Sequence, residues 1–220
     1  MTKTSASIIC SDFLDLKKDI ELLEKGGIDL IHIDIMDGHF VPRLGIFPEI
    51  ITSIKSITDV PLDVHLMVER PLDWLPILFK IRPEYISVHT ESTKHLDYVI
   101  RTIKENKIKA GVVINPATSI RVIDYLVDDL DMVALMAINP GIVGHKLIPL
   151  MMEKIKRLAK YREKHKGHFL IEVDGGVTFE SGLKMVEAGA DILVCGSSTI
   201  FHQDKPLDIK IKELKKVLEK

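Results

Sequence analysis

The sequence is short of cysteine, carries no surplus of either charge and has no long apolar run. Its two cysteines, Cys10 and Cys195, sit far apart in apolar stretches. No metal-type spacing links them, and two reduced, buried thiols are expected. The 30 Lys and Arg residues meet 32 Asp and Glu, a formal net charge of −2. A nucleic-acid partner, which needs a basic face, is therefore not expected. The Lys-rich stretch LDIKIKELKKVLEK keeps Leu207, Ile211, Leu214 and Leu218 on one stripe and reads as an ordinary amphipathic helix. No apolar stretch approaches a membrane span and residues 1–11 are too polar for a signal peptide, so the cytoplasm is the expected compartment, with no membrane partner. Linkers and low-complexity segments are missing as well, which leaves residues 1–220 as one domain.

What is present is a regular alternation. Short β-branched runs suggest strands at Ser5–Ile9, Leu30–Ile35, Leu62–Val68, Tyr85–His89, Ala110–Ile114, Met132–Ala137, Phe169–Asp174 and Ile192–Cys195. Between them, stripes of period 3.6 suggest helices at Phe13–Lys25, Phe47–Ser56, Pro71–Lys80, Lys94–Asn106, Ser119–Leu126, Ile148–His165, Phe179–Ala188 and Leu207–Leu218. Ser11 or Asp12 can cap the first helix, Gly26 and Gly27 can end it, and Gly189 can end the seventh. Eight strands alternating with eight helices predict an α/β fold, a single (β/α)8 TIM barrel closed on itself.

The strands have an unusual inner face. In LIHIDIM, Ile31, Ile33 and Ile35 oppose Leu30, His32, Asp34 and Met36. In PLDVHLMV, Asp63, His65 and Met67 share the face opposite Val64 and Leu66, and in HFLIEVD the set is His168, Leu170, Glu172 and Asp174. Tyr85, Ser87 and His89 repeat the pattern. One face suits the surrounding helices. The other puts ionisable groups inside the barrel, where they must satisfy one another or bind something.

His32, Asp34, His65 and Asp174 offer two imidazoles and two carboxylates from three strands, a set suited to Zn2+, Fe2+, Mn2+ or Co2+. From residue types alone, a self-satisfied polar network is the other reading. Two carboxylates beside a cation also suit proton transfer. His89 reads as a packed or supporting residue of the same wall. The glycine-bearing turns NPGIVGHK, DGG and CGSS follow strands six, seven and eight. Barrels often bind phosphate after the last two, where Gly175, Gly176, Gly196 and Ser197 stand in the right places, although each glycine alone could simply make a tight turn. Met36, Met67 and Met136, near strand ends, are core filler or a water-excluding wall.

With these motifs assembled, the chain resembles the ribulose-phosphate 3-epimerase family, metal-dependent (β/α)8 barrels of the pentose phosphate pathway. The likeness runs nearly end to end, through SASIICSDF, HIDIMDGHFVP, PLDVHLMVERP, SVHTE, AGVVINPAT, INPG, EVDGG and GSS. It implies an isomerase that interconverts D-ribulose 5-phosphate and D-xylulose 5-phosphate by proton transfer at C3 through an enediolate. It implies one divalent cation on His32, Asp34, His65 and Asp174, with Asp34 and Asp174 exchanging roles as base and acid. Ser7 and His65 would contact substrate near the cation, and the three methionines would hem in the enediolate. Gly175, Gly176, Gly196 and Ser197 would bind the phosphate, with Gly141 and Gly144 in the neighbouring loop. The implied partner is a ketose phosphate, and the implied assembly a homo-oligomer.

Two segments depart from the family pattern. The loop after the sixth strand, usually Pro-Gly-Phe-Gly-Gly-Gln, here has Ile142, Val143 and His145; HFVPNLT becomes HFVPRLGIFP, bringing Arg43, Gly45 and Phe47. Both follow strand ends, where substrate identity is decided. An allulose 6-phosphate 3-epimerase, or another ketose-phosphate 3-epimerase, is therefore the alternative substrate reading. Arg43 reads as facing solvent, with an anion contact as its other role. A non-catalytic sugar-phosphate-binding barrel is the reading from a different class, which loss of a ligand or carboxylate would have signalled; all four positions are present.

Overall fold

β-Branched residues with one apolar face need a partner layer on that face, and the structure supplies it in a ring. The computed structural model describes residues 2–142, 144, 146–201 and 204–219. Among them, β1 (Lys3–Ser7), β2 (Leu30–Met36), β3 (Leu62–Met67), β4 (Tyr85–His89), β5 (Lys109–Ile114), β6 (Met132–Met136), β7 (Leu170–Asp174) and β8 (Ile192–Cys195) form a closed barrel. Neighbouring strands pair in parallel, and β8 pairs with β1 to complete the ring. Helices α1 (Leu16–Gly26), α2 (Pro48–Lys55), α3 (Pro71–Ile81), α4 (Leu96–Glu105), α5 (Met151–Lys164), α6 (Phe179–Glu187) and α7 (Leu207–Leu218) connect them. Outward Ile31, Ile33, Ile35, Val64 and Leu66 join helix residues such as Ile20, Leu23, Ile155 and Leu158 in one buried apolar cluster. Burial of this kind is worth about 1.5–3 kcal/mol per large side chain.

The interior follows from register. Leu30, Tyr85, Met132 and Ile192 form an apolar plug at the N-terminal end. Pairing around the ring sets Ser5, Asp63, Gly111 and Glu172 above it, then His32, Ser87, Ala134 and Val194, then Ser7, His65, Val113 and Asp174. The alternation of apolar-out and polar-in thus becomes a polar column inside the barrel, rising towards the C-terminal strand ends.

Some expected boundaries shift, each for a local reason. The strand expected at Ser5–Ile9 runs Lys3–Ser7, and Ile8–Cys10 is a 3-10 turn. The first helix starts at Leu16, not Phe13, and neither Ser11 nor Asp12 caps it. The Asp12 carboxylate instead accepts the Leu14 N–H at 3.0 Å, a turn that delays the helix. Its C-terminal end is as expected, with Gly27 at φ 81°. The helix expected at Ser119–Leu126 is only a 3-10 turn, Ile120–Ile123, followed by irregular turns. Ile120, Val122, Ile123 and Val127 are β-branched, Asp124, Asp128 and Asp129 are poor helix formers, and Val122 and Tyr125 stay exposed.

The connection from β2 to α2 folds back on its own strand. The Gly45 N–H donates to the Met36 carbonyl at 3.1 Å, and the Ile46 N–H to the Asp34 carbonyl at 2.8 Å. A Cβ at position 45 would collide with the backbone of Asp34 and Met36, which accounts for glycine there. Gly45→Ala is expected to destabilise the fold by about 1–3 kcal/mol, read as a lowered urea midpoint; an unchanged midpoint would mean that the loop does not hold this close contact.

Candidate metal centre and active site

Two strands supply most of the centre. The period of two along β2 turns His32 and Asp34 inward one above the other, and His65 from β3 pairs in register with Asp34. Asp174 closes the set from the end of β7. The facing atoms are close: His32 Nε2 lies 3.4 Å from Asp34 Oδ1 and 4.0 Å from Asp174 Oδ2. His65 Nδ1 lies 3.5 and 3.6 Å from the same two oxygens. All four donor atoms fall within 4.8 Å of one another.

These separations are long for hydrogen bonds but suit ligands of a shared cation. Four ligands at about 2.0–2.1 Å in a tetrahedron lie about 3.4 Å apart. His32 Nε2 supports the fit from another side, since it is buried without a hydrogen-bond partner while its Nδ1 sits 2.7 Å from Asp63 Oδ2. With Nδ1 engaged by that carboxylate, Nε2 is the nitrogen that would meet a cation. The donor set therefore fits a divalent cation, with two imidazoles and two carboxylates.

Electrostatics bind the cluster together. Burial works against a charged His32, but Asp34 and Asp63 outweigh it and hold its pKa well above the usual value. His65 is raised as well, burial being outweighed by Asp174 and Asp34. Burial opposes ionisation of Asp34, yet His32 and His65 hold its carboxyl far below the usual range. Ser7 Oγ donates to Asp34 Oδ2 at 2.7 Å and fixes the orientation of that carboxylate. Glu172 behaves oppositely: burial, then the neighbouring Asp63, push its pKa well above normal.

Above this floor opens a cavity of about 740 Å³. Ser7, Asp34, Asp174 and the methionines Met36, Met67 and Met136 line it. Gly141, Gly144, Gly175, Gly176, Gly196 and Ser197 line the same cavity. Gly175 and Gly176 have φ of 98° and 65°, left-handed values that favour glycine in the turn after β7. Thus Asp34, Asp174, Ser7, the three methionines and the six glycine-turn residues lie in the cavity wall, and His32 and His65 in the buried cluster beneath it.

Two expectations need correcting. Arg43 does not simply face solvent: it is part-buried in the cavity wall, because the return of Gly45 onto β2 carries it there. Cys195 is buried as expected, but Cys10 is only half-buried and lines the cavity beside Gly196. Ile142 also lines the cavity, whereas Val143 and His145 lie outside the described residues.

Asp63, Glu172 and Glu91 had no assigned part, whereas His89 was expected as a packed or supporting residue. Asp63 and Glu172 were visible as inward-facing, but only the register puts Asp63 against His32. His65 Nε2 lies 2.9 Å from His89 Nε2, and His89 Nδ1 lies 3.3 Å from Glu91 Oε2. Glu91 sits just beyond the end of β4, outside the alternation that exposed the others. Burial alone would raise its carboxyl, but hydrogen bonds from His89, Thr118 and the Asn115 N–H hold it at about 2. Burial keeps His89 neutral, its pKa lowered to about 4.

The model of the Ribulose-phosphate 3 epimerase family matches residues 3–201. The chain belongs to this family. It is 47% identical to the ribulose-phosphate 3-epimerase of Bacillus subtilis over 206 residues, 93% of this chain and 95% of that protein. It is 40% identical to the chloroplastic ribulose-5-phosphate-3-epimerase of Arabidopsis thaliana, covering 94% of this chain and 74% of that one. Among solved structures, 3-hexulose-6-phosphate synthase from Salmonella typhimurium shares the fold, with a TM-score of 0.71 at 19% identity over 100% of this chain and 99% of that chain. Phosphoribosyl anthranilate isomerase from Thermococcus kodakaraensis does so at a TM-score of 0.67 and 12% identity, covering 99% of each chain. Family membership and the buried cluster agree on a sugar-phosphate barrel with a place for a cation.

Titration of metal-stripped protein with Co2+ should show one tight site, and His32→Ala should abolish it while leaving the fold intact by circular dichroism. Retention of the tight site in that variant would remove His32 from the ligand set. Glu91 carries a separate pH signature. Its folded pKa lies below the ordinary 4.5, so it stabilises the fold above that pH and the contribution is lost as pH falls towards about 2. Glu91→Gln should remove up to about 2 kcal/mol at neutral pH, allowing for partial exposure, with the gap from wild type closing across that window. Urea midpoints measured along the pH series check it.

Proposed function

We propose that the protein is a metal-dependent isomerase that interconverts D-ribulose 5-phosphate and D-xylulose 5-phosphate by moving the proton on C3. The observation that carries this reading is the pair of carboxylates, Asp34 from β2 and Asp174 from β7, at one histidine-lined floor of a cavity closed by glycine turns. Epimerisation needs a base on one face of the carbon and an acid on the other. Asp34, oriented by Ser7, and Asp174 supply one carboxylate each. His32 and His65 would hold a divalent cation together with these carboxylates. When bound, that cation supplies Lewis-acid stabilisation of the negative charge that develops on the substrate's oxygens.

The rest of the cavity binds and shields. Met36, Met67 and Met136 give the reacting carbon an apolar, polarisable surround that keeps water from an enediolate. Gly175, Gly176, Gly196 and Ser197, with Gly141 and Gly144 in the same cavity wall, form the end that takes the phosphate. The chain acts as one catalytic domain in the cytoplasm, as a homo-oligomer.

A second substrate reading has one observation in its favour. Arg43 and Ile142, both departures from the family pattern, stand in the cavity wall, so another ketose phosphate such as allulose 6-phosphate is the competing substrate. Proton NMR in D2O distinguishes them. Loss of the C3 hydrogen of D-ribulose 5-phosphate, with xylulose 5-phosphate appearing and a chelator stopping both, is the expected result. Exchange confined to allulose 6-phosphate would replace the first substrate with the second. Asp34→Asn and Asp174→Asn should each lower kcat about 10²–10⁴-fold with the fold retained; a near-native rate in either removes that residue from the acid-base pair.

A further inference from the structure

We propose that His89 and Glu91 are positioning residues for the metal centre: they set the proton on His65 Nε2 and so keep His65 Nδ1 free to bind a cation. The inference rests on the metal reading above. It begins from the far end of the chain of contacts. A carboxylate can only accept, so the His89 Nδ1 facing Glu91 Oε2 at 3.3 Å carries a hydrogen. With a cation on His65 Nδ1, the remaining hydrogen of that ring sits on Nε2, so His89 accepts there and keeps a lone pair on its Nε2. That lone pair faces His65 Nε2 at 2.9 Å, where one nitrogen must donate and the other accept. His65 Nε2 is therefore the donor in the cation-bound site, where its Nδ1, which faces Asp34 and Asp174, is the nitrogen that binds.

The direction of this relay is anchored outside the barrel. Glu91 Oε1 accepts the Asn115 N–H at 3.1 Å and the Thr118 hydroxyl. Both belong to the segment after β5, which α5 clamps in turn: Lys154 Nζ donates to the carbonyls of Asn115 at 2.6 Å and Thr118 at 2.7 Å. His89 itself is fully buried, with the Phe40 ring centroid 4.6 Å from its own. The two metal-facing histidines are thus fixed through opposite nitrogens. His32 is held directly by Asp63 at Nδ1, and His65 at Nε2 through a histidine and a carboxylate.

The test compares wild type, Glu91→Ala, Glu91→Gln and His89→Phe, each metal-stripped and titrated with Co2+ against a competing chelator. The readouts are the Co2+ dissociation constant, the visible spectrum of the bound Co2+ and the thermal midpoint of the metal-free protein. Glu91→Ala and His89→Phe are expected to weaken Co2+ binding about 10–100-fold and to change the spectrum. Glu91→Gln should stay close to wild type in affinity, because its amide oxygen can still accept from His89 Nδ1. Should His89→Phe fail to fold, the two Glu91 variants carry the comparison. Native Co2+ affinity and spectrum in Glu91→Ala, with only the metal-free midpoint lowered, would mean a merely structural role and overturn the inference. Wild-type protein that binds no Co2+ would instead bring down the metal reading, and this inference with it.

Discussion

The cost of burying charge governs this structure. His32, Asp34, His65 and Asp63 are almost wholly removed from water, where an isolated ionised group is strongly disfavoured. Their arrangement answers that cost by pairing opposite charges: both imidazoles face both carboxylates, and the spare nitrogen of His32 meets Asp63. Among the atoms that the pairing leaves without a hydrogen-bond partner, the Nε2 of His32 is the one that faces Asp34 and Asp174. A divalent cation would satisfy it and neutralise the facing carboxylates at the same time, so the cluster is consistent with a metal site.

The barrel makes such a cluster possible. Each strand keeps an apolar outer face for the helices, so stability comes from the outer core and the inner face is free to carry chemistry. An apolar plug shuts the N-terminal end, and the ionisable groups gather at levels nearer the open end. Local rigidity is passed inward from outside the ring: the segment after β5, held by Lys154, holds Glu91, and the turn at Gly45 lies against the backbone that carries Asp34 and Met36. Loops that look like connectors therefore bear on the geometry of the centre.

How far the amino-acid order reached can be judged from particular residues. Alternation in LIHIDIM and PLDVHLMV put His32, Asp34 and His65 on inner faces, and the structure places them there. The same logic marked Asp63 and Glu172 as inward without a partner, because period says which way a side chain points and not what it meets. Glu91 escaped notice since it lies past the strand end, where no period applies. The stretch Ser119–Leu126 looked helical by apolar spacing, but β-branched and aspartate residues left it a 3-10 turn. Arg43 misled for a different reason: its placement depends on Gly45 packing against β2, a contact between loop and strand that no single-residue property signals.

By itself, then, the sequence determined the strand–helix alternation, the apolar outer and polar inner faces, and the set of side chains available for chemistry. These follow from backbone periods of 2 and 3.6 and from the preference of apolar surface for burial. Only the tertiary structure decided which atoms meet: closure and register bring β2, β3 and β7 to within 4.0 Å at the centre and turn particular nitrogens of His32 and His65 towards it. Such choices depend on distances between residues remote in the chain, which strand stagger sets and local composition does not encode.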